Sequence, residues 1–247
     1  MLPTVDPGLV EKISQRFEIV KAQVYRSAEK VGRNPAEVRI VAVSKKHSVE
    51  VIAAAYQVGL RNFGENYAEE AVEKIAALKA LDGIEWEMIG HIQSRKAKLI
   101  ANNFKRVHSL DSEKLARLLS QLHPPGSEPL QVMLEINISG EPSKGGLPGS
   151  TQAEREALLP FVTNVTGLAG LHLIGLMTMP PLTDDASQNR QYFAKLRDLK
   201  DYLNQNISNL DLQDLSMGTS MDYPVAVEEG ATFLRIGEAL LGPRIYV

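Results

Sequence analysis

Short apolar segments alternate along this chain with segments of helical periodicity. The first helical segment, about Gly8 to Lys30, repeats apolar residues at spacings of three and four between Val10 and Val24, which is typical of an amphipathic helix. After it, eight short segments are apolar enough to form buried strands. These strand candidates are Val38–Val43, Arg61–Gly64, Trp86–Ile89, Arg106–His108, Gln131–Ile136, Leu171–Met177, Leu212–Leu215 and Phe233–Ile236.

Helical signals separate the strand candidates. Ser48 is placed to cap a helix over Val49–Val58, Thr151 to Glu154 fits a capping box, and Ala186–Asn204 is long and periodic. Strands that alternate with helices form parallel sheets, so we expect an α/β protein. Eight such strands predict closure into a single (β/α)8 barrel of the TIM type. We expect one domain over residues 1–247, with the barrel at about 38–242.

Composition narrows the possible functions. With 247 residues, of which 44% are hydrophobic and 23% charged, the chain is long enough for one such barrel. A net charge of −3 gives no general attraction for nucleic acid or for an anionic membrane. The absence of cysteine excludes disulfides and thiol nucleophiles, and the scattered histidines lack metal-ligand spacing.

No apolar stretch approaches the length of about 18 residues that a membrane span requires. The N-terminus also lacks the basic and apolar regions of a signal peptide. We therefore expect a cytoplasmic protein with no nucleic acid, membrane or metal partner.

The loops after the last two strand candidates predict a phosphate site. In a barrel of this type the active face lies at the C-terminal ends of the strands. The seventh candidate is followed by Ser216-Met217-Gly218-Thr219-Ser220 and the eighth by Gly237, each just before a helix start, at Asp222 and Glu238. Backbone N–H groups at helix starts, hydroxyls and glycines bind phosphate, which barrels often hold at these two loops. Either loop alone is equally well explained by turn and capping residues.

Two adjacent lysines, Lys45 and Lys46, follow the first strand candidate. Successive strand side chains point to opposite faces, so one of the two faces the barrel lumen. It lies near the proposed phosphate, because the first strand closes beside the eighth. A lysine there can be a counter-charge, or an imine-forming nucleophile whose pKa must fall below the usual value of about 10.4. Spacing alone leaves both roles open.

The motifs resemble those of the pyridoxal phosphate homeostasis protein family, in the same order, from about Gly8 to Arg244. They are VAVSKKHSVE, NFGENYAEEA, WEMIGHIQSRK, NISGEPSKGG, GLMTM and LSMGTSMDYPVAVEEGATFLRIGEALLG. The resemblance implies a fold-type III barrel, similar to the N-terminal domain of alanine racemase, with pyridoxal 5'-phosphate (PLP) as its cofactor. It also implies that Lys45 holds PLP as a Schiff base.

The same resemblance implies the other cofactor-binding residues. Arg235 would face the pyridine nitrogen; since a guanidinium only donates hydrogen bonds, it would keep that nitrogen unprotonated and weaken the ring as an electron sink. The chain departs from the family pattern at Lys46, His47 and Arg95, whose roles the resemblance leaves open. Asn66 would lie near the ring, and the phosphate would be bound by Ser216, Gly218, Thr219 and the backbone of Gly237.

Two functions are consistent with these residues. The first is a non-catalytic PLP-binding protein of vitamin B6 homeostasis and amino-acid balance, which stores PLP or delivers it, with apo PLP enzymes or a regulatory protein as partners. The alternative is a PLP-dependent amino-acid racemase. Resemblance to alanine racemase would call for a second, β-rich domain with a tyrosine base from across a dimer interface. The printed sequence ends soon after the eighth strand candidate, with Tyr246 near its end, so we expect no such domain, no racemase activity and a monomer.

A third interpretation is a phosphosugar enzyme built on the same barrel. Such an enzyme would require two carboxylates together at the barrel mouth. Glu65, Glu141 and Asp222 are candidates, but nothing in the sequence brings two of them together.

Overall fold

The computed structural model describes residues 3–181, 183 and 185–244, which form an alternating series of strands and helices. The strands are β1 (Arg39–Val43), β2 (Asn62–Glu65), β3 (Glu85–Met88), β4 (Arg106–Leu110), β5 (Leu130–Asn137), β6 (Leu147–Pro148), β7 (Leu171–Met177), β8 (Asp214–Thr219) and β9 (Phe233–Ile236). The helices are α1 (Pro7–Lys30), α2 (Val49–Gln57), α3 (Ala68–Ala77), α4 (Ala97–Asn103), α5 (Glu113–Leu122), α6 (Gln152–Thr166), α7 (Arg190–Asn206), α8 (Tyr223–Glu228) and α9 (Glu238–Leu241).

Eight of the strands form a closed parallel barrel. The order of paired neighbours is β1, β2, β3, β4, β5, β7, β8 and β9, and β9 pairs with β1 from Arg39 to Ala42. The two residues of β6 only extend the pairing at the end of β5. The prediction of a (β/α)8 barrel from the sequence is confirmed. Because the strands are parallel, all their C-terminal ends meet at one mouth.

The largest difference in extent from the sequence prediction is in β8, whereas β1 to β5 differ by only one or two residues at their ends. Strand β8 begins two residues after Leu212 and continues to Thr219, whereas the sequence indicated a strand that ends at Leu215. Pairing with β9 resumes at Thr219 after a bulge, and Gly218 permits that bulge with a positive φ of 91°. The first part of the predicted phosphate loop is therefore strand.

Helix α1 completes the outer ring of helices. The helix after the last strand, α9, has four residues, which is too short to cover the junction between β9 and β1. Helix α1 packs against α2, α8 and α9, and buries Ile13, Val20 and Val24. The first helix of the sequence thus occupies the ring position that a long final helix would fill. Among the helices that the structure describes, none combines the length and hydropathy needed to span a bilayer.

The barrel has an outer and an inner core. The outer core lies between sheet and helices and contains Phe63, Trp86 and Phe193. The inner core is small and consists of Val41, Met133, Ile174, Met177 and Phe233. Around it the lumen holds buried polar and charged side chains, namely Glu87, Arg106, His108, Ser216 and Arg235.

Candidate functional site

The structure separates the two adjacent lysines that follow β1. Lys45 is half-buried, whereas Lys46 is exposed and adopts a left-handed backbone conformation with a φ of 61°. Burial lowers the pKa of Lys45, and the charges of Arg244 and Lys46 lower it further, while Glu65 acts in the opposite direction. A lysine with a lowered pKa is closer to the neutral amine that imine formation requires.

A buried ion pair supports the backbone at Lys45. Glu65 Oε1 accepts hydrogen bonds from Ser44 Oγ at 2.7 Å and from Lys74 Nζ at 2.8 Å. The same ammonium donates to the carbonyl oxygen of Ser44 at 2.8 Å and to Glu70 Oε1 at 2.6 Å. These bonds connect Ser44, the residue before Lys45, to both β2 and α3. They therefore fix the backbone from which the Lys45 side chain extends.

Arg244 adds a further cation to this end of β1. Its Nη2 lies 3.6 Å from the position that a Cβ on Gly237 would occupy, and its Nε is buried without a hydrogen-bond partner among the described residues. An unused guanidinium donor whose charge also acts on Lys45 is suited to an anionic group such as phosphate. The sequence analysis did not select Arg244, because only the closure of the barrel brings it back to β1.

The two loops predicted to bind phosphate lie side by side at the mouth, since β8 and β9 are neighbours. Ser220 Oγ accepts a hydrogen bond of 3.4 Å from the N–H of Ala239, which joins the two loops. A Cβ on Gly218 would lie 2.6 Å from the Cβ of Ala226 in α8, so only glycine permits this close approach. The predicted arrangement of loops is therefore present.

Two hydroxyls from the predicted phosphate set are engaged within the protein. The N–H and the Oγ1 of Thr219 donate to Asp222 Oδ1 at 2.7 Å and 3.0 Å. Ser216 is fully buried, with its Oγ 2.5 Å from Arg235 Nη1 and 2.8 Å from His108 Nδ1. A phosphate would have to displace these bonds to use either hydroxyl.

Arg235 lies in the lumen directly below the mouth. Its Nη2 donates to the carbonyl oxygen of Thr178 at 2.8 Å and to Met179 Sδ at 2.9 Å. Burial lowers the pKa of Arg235 to about 10, although the carboxyl groups of Asp222 and Glu135 act in the opposite direction. The guanidinium therefore stays protonated at neutral pH, and it offers donors but no acceptor to a ring placed above it.

Asn66 lies at the end of β2, beside β1, in a cavity of about 430 Å³ that His91 and Arg95 also line. Gly90 makes this position possible, because a Cβ there would come within 2.7 Å of the Asn66 backbone. The Oδ1 of Asn66 is buried and has no hydrogen-bond partner among the described residues. The Oδ1 of Asn66 is thus an acceptor that no described residue uses.

Glu135 is a carboxyl group near the mouth that the sequence analysis missed. Burial raises the pKa of Glu135, as does Asp111, while the charges of Arg235 and His91 lower it. The sequence signal for this residue was a single charged position in the apolar strand QVMLEIN. The sequence does not show which residues surround Glu135, because Arg235 of β9 comes close to Glu135 of β5 only in the folded barrel.

The carboxylates considered for a phosphosugar enzyme are not paired with one another. Glu65 binds Ser44 and Lys74. Asp222 precedes α8 without a side-chain capping bond, and its Oδ2 accepts from Asn189 at 2.8 Å. Tyr246, which bears on the racemase alternative, lies outside the described residues. In the described part of the chain, no group of three or more potential ligands could hold a metal ion.

Comparison with known proteins places this site in a family. Residues 20–244 match the family of the alanine racemase N-terminal domain. A pyridoxal phosphate homeostasis protein of Pseudomonas aeruginosa is 43% identical over 235 residues, which are 95% of this chain and 96% of the relative. PipY of Synechococcus elongatus, solved with PLP bound, is 33% identical with a TM-score of 0.80, and the match covers 93% of this chain and all of PipY.

A more distant structure shows the fold alone. Alanine racemase of Corynebacterium glutamicum is 15% identical, with a TM-score of 0.69, and the match covers 94% of this chain and 61% of the racemase. The barrel is thus shared with an enzyme, whereas the full-length matches at higher identity are to homeostasis proteins. The chain belongs to the pyridoxal phosphate homeostasis protein family.

Proposed function

We propose that this protein binds PLP as a Schiff base on Lys45 and serves PLP homeostasis without turning over amino acids. The observation that carries the proposal is the half-buried Lys45, whose pKa is lowered by burial and by Arg244 at the mouth of the barrel. The names of the relatives support it, as does the structure of PipY with PLP bound.

The residues at the mouth match the chemical groups of PLP. The cofactor supplies an aldehyde that condenses with an amine, which Lys45 would provide. Its phosphate dianion requires N–H and O–H donors, which the backbone of Gly237, the Ser220 hydroxyl and Arg244 would provide. Its ring nitrogen accepts a hydrogen bond, which Arg235 would donate, and the amide of Asn66 would lie beside the ring.

Of the other predicted phosphate ligands, two would contact the phosphate and one would act through Arg235. Gly218 and Thr219 belong to the loop after the β8 bulge, where a phosphate would compete with Asp222 for the donors of Thr219. Ser216 lies deeper, and would act on the cofactor through its hydrogen bond with Arg235.

The non-catalytic role follows from the charge of Arg235. A permanent donor at the ring nitrogen keeps that nitrogen unprotonated, and an unprotonated ring stabilises carbanions poorly. The racemase alternative draws support from the shared barrel only, since the alanine racemase is 15% identical.

We further propose that the protein works as a monomer and hands PLP to apo PLP enzymes. The loops after β7 and β8 leave Met179 and Met221 exposed, at 46% and 71% of their surface. These apolar side chains flank the mouth and would contact a protein that approaches Lys45.

Reduction of the purified protein with borohydride, followed by peptide mapping, tests the attachment. We expect a yellow protein whose pyridoxyl label maps to Lys45. Lys45→Ala should lose the reducible label, and Lys46→Ala should keep it as the matched control. A label that stays on Lys46 in the Lys45→Ala variant would contradict the assignment.

A further inference from the structure

A chain of buried side chains runs from Arg235 down through the barrel lumen. Arg235 Nη1 donates to Ser216 Oγ at 2.5 Å, and this hydroxyl lies 2.8 Å from His108 Nδ1. On the other side of the imidazole, His108 Nε2 lies 2.7 Å from Glu87 Oε2. Glu87 Oε1 accepts a hydrogen bond of 3.0 Å from Arg106. Ser216, His108 and Glu87 have no exposed surface, so water does not compete for these contacts.

The donor capacity of each group limits the direction of the upper bonds. A guanidinium can only donate, so the Ser216 oxygen is the acceptor for Arg235. The single hydroxyl proton of Ser216 has an acceptor in this chain, Nδ1 of His108, when the imidazole carries its proton on Nε2. In that tautomer the proton on Nε2 faces Glu87. A doubly protonated His108 would leave the Ser216 proton without its acceptor in this chain.

The lower contacts hold the imidazole in place. His108 Nε2 and Glu87 Oε2 are close, but neither forms a hydrogen bond of good geometry, so their interaction is mainly electrostatic. Arg106 compensates the charge of Glu87. The ring of Phe233 meets the imidazole edge-on, with centroids 5.3 Å apart and planes at 85°. The plane and height of the imidazole are thus fixed by groups that lie far from the mouth.

We propose that His108 is a positioning residue for the bound cofactor, which acts through the hydroxyl of Ser216 to hold Arg235 against the ring nitrogen. The inference rests on the proposed function, because it concerns the same PLP site. His108 does not touch the cofactor itself. Without an acceptor at Nδ1 the Ser216 side chain is free to change rotamer, which moves its Oγ away from Arg235, so the guanidinium donors no longer aim at one point.

Two substitutions of His108 separate this role from simple packing. The amide of asparagine occupies roughly the position of Nδ1, and the amide of glutamine roughly that of Nε2. His108→Asn therefore keeps an acceptor for Ser216 and loses the contact with Glu87. His108→Gln keeps a polar group near Glu87 and withdraws the acceptor from Ser216. Ser216→Ala removes the hydroxyl oxygen between His108 and Arg235, and so breaks the same connection while His108 is kept.

The readouts are the pH dependence of the absorption band of bound PLP, the chemical shift of its ¹⁵N-labelled ring nitrogen, and the rate of PLP release. We expect His108→Gln and Ser216→Ala to shift the ring-nitrogen signal and the titration midpoint in the same direction. Both should release PLP about tenfold faster, as the loss of one hydrogen bond implies. His108→Asn should remain close to the unsubstituted protein.

Two results would overturn the inference. Equal effects of His108→Asn and His108→Gln would reduce His108 to a packing residue, and an unchanged ring-nitrogen signal in Ser216→Ala would break the connection to Arg235. If His108→Gln does not fold, as judged by circular dichroism, Ser216→Ala alone decides. If the unsubstituted protein retains no PLP, the proposed function itself fails, which is a different outcome from a failed connection in a protein that binds PLP.

Discussion

Glu65 is a carboxyl group without exposed surface, and it lies directly behind the strand end that carries Lys45. Burial raises the pKa of Glu65, while Lys74 and Ser44 oppose that change. Removal of one partner from a buried ion pair leaves the other charge uncompensated. We expect Lys74→Met to lower the free energy of unfolding by about 3–5 kcal/mol, as measured by urea denaturation. The double variant Glu65→Gln/Lys74→Met should recover part of this loss, and a cost below about 1 kcal/mol for Lys74→Met would contradict the pairing.

The burial of Glu135 predicts how the stability of the protein depends on pH. Burial raises the pKa of Glu135 above its ordinary range, so the folded protein holds this proton more tightly than the unfolded chain does. The resulting stabilisation is complete below the unfolded pKa of about 4.3, and is lost as the pH rises through the folded value. We therefore expect Glu135→Gln to be more stable than the unsubstituted protein at pH 7, with the difference much smaller at pH 4.

The matched control for this prediction is Glu156→Gln, since Glu156 is an exposed residue of α6. Urea denaturation of the three proteins at both pH values provides the comparison. A gain in stability for Glu135→Gln that is the same at pH 4 and pH 7, or that Glu156→Gln shares, would show that Glu135 does not titrate differently in the folded protein.

Sequence patterns could single out Lys45 and the loops after the last two strand candidates, because these residues follow apolar strands. The roles of Asn66 and Arg235 came only from the family resemblance. Other residues could not be found in this way. His108 contacts a hydroxyl 108 positions away in the chain, and Arg244 reaches β1 only after the barrel has closed. These contacts depend on tertiary register, which no local pattern encodes.

At the scale of elements, the alternation of apolar and helical segments predicted the barrel strands and their order well. The bounds of β7 and β9 agree with the prediction residue by residue. The end of β8 does not, because Ser216, Gly218 and Thr219 after Leu215 are residue types typical of a turn. In the structure Gly218 forms a bulge that keeps the strand paired as far as Thr219. A bulge requires a partner strand, and a single sequence does not show which strand that is.

Two glycines in strands differ in what a side chain would meet. A Cβ on Gly175 would lie 2.0 Å from the carbonyl oxygen of Asp214, its partner in β8. A Cβ on Gly64 would lie 2.9 Å from the terminal methyl groups of Ile89 and Val41. The clash at Gly175 is with backbone, so it is relieved only if the two strands move apart. The clash at Gly64 is with methyl groups, which can move by a change of side-chain rotamer.

We therefore expect Gly175→Ala to lower the free energy of unfolding by about 3 kcal/mol or more, and Gly64→Ala by about 1 kcal/mol. Chemical denaturation of both variants measures the difference. Gly64→Ala is the matched control, because both substitutions add one methyl group to a barrel strand. Similar losses for the two variants would contradict the close contact between β7 and β8.

At the scale of the whole molecule, the two ends of the barrel differ in how their polar side chains are hydrogen-bonded. In the lower lumen Arg106 forms hydrogen bonds with both Glu85 and Glu87, while Glu87 Oε2 and His108 Nε2 lie close together without a hydrogen bond. The mouth holds groups that are only partly satisfied, such as Asn66 Oδ1 and Arg244 Nε. A rigid base with unused donors and acceptors above it is suited to a ligand that must be held and then released.

Release to another protein is the behaviour expected of such a mouth. Transfer of PLP from Lys45 to an amine of a second protein would require an accessible site, and Met179 and Met221 in the loops after β7 and β8 are exposed. We expect PLP-loaded protein to reactivate an apo PLP enzyme in the presence of a phosphatase that destroys free PLP. Lys45→Ala mixed with an equal amount of PLP should fail in the same assay. Amino-acid turnover by the PLP-loaded protein, measured in parallel, should stay at background, because Arg235 stays charged at neutral pH and, in the proposed site, would keep the ring nitrogen unprotonated. Racemisation that disappears in Lys45→Ala would overturn the non-catalytic role, and a failure to reactivate the apo-enzyme would restrict the protein to storage.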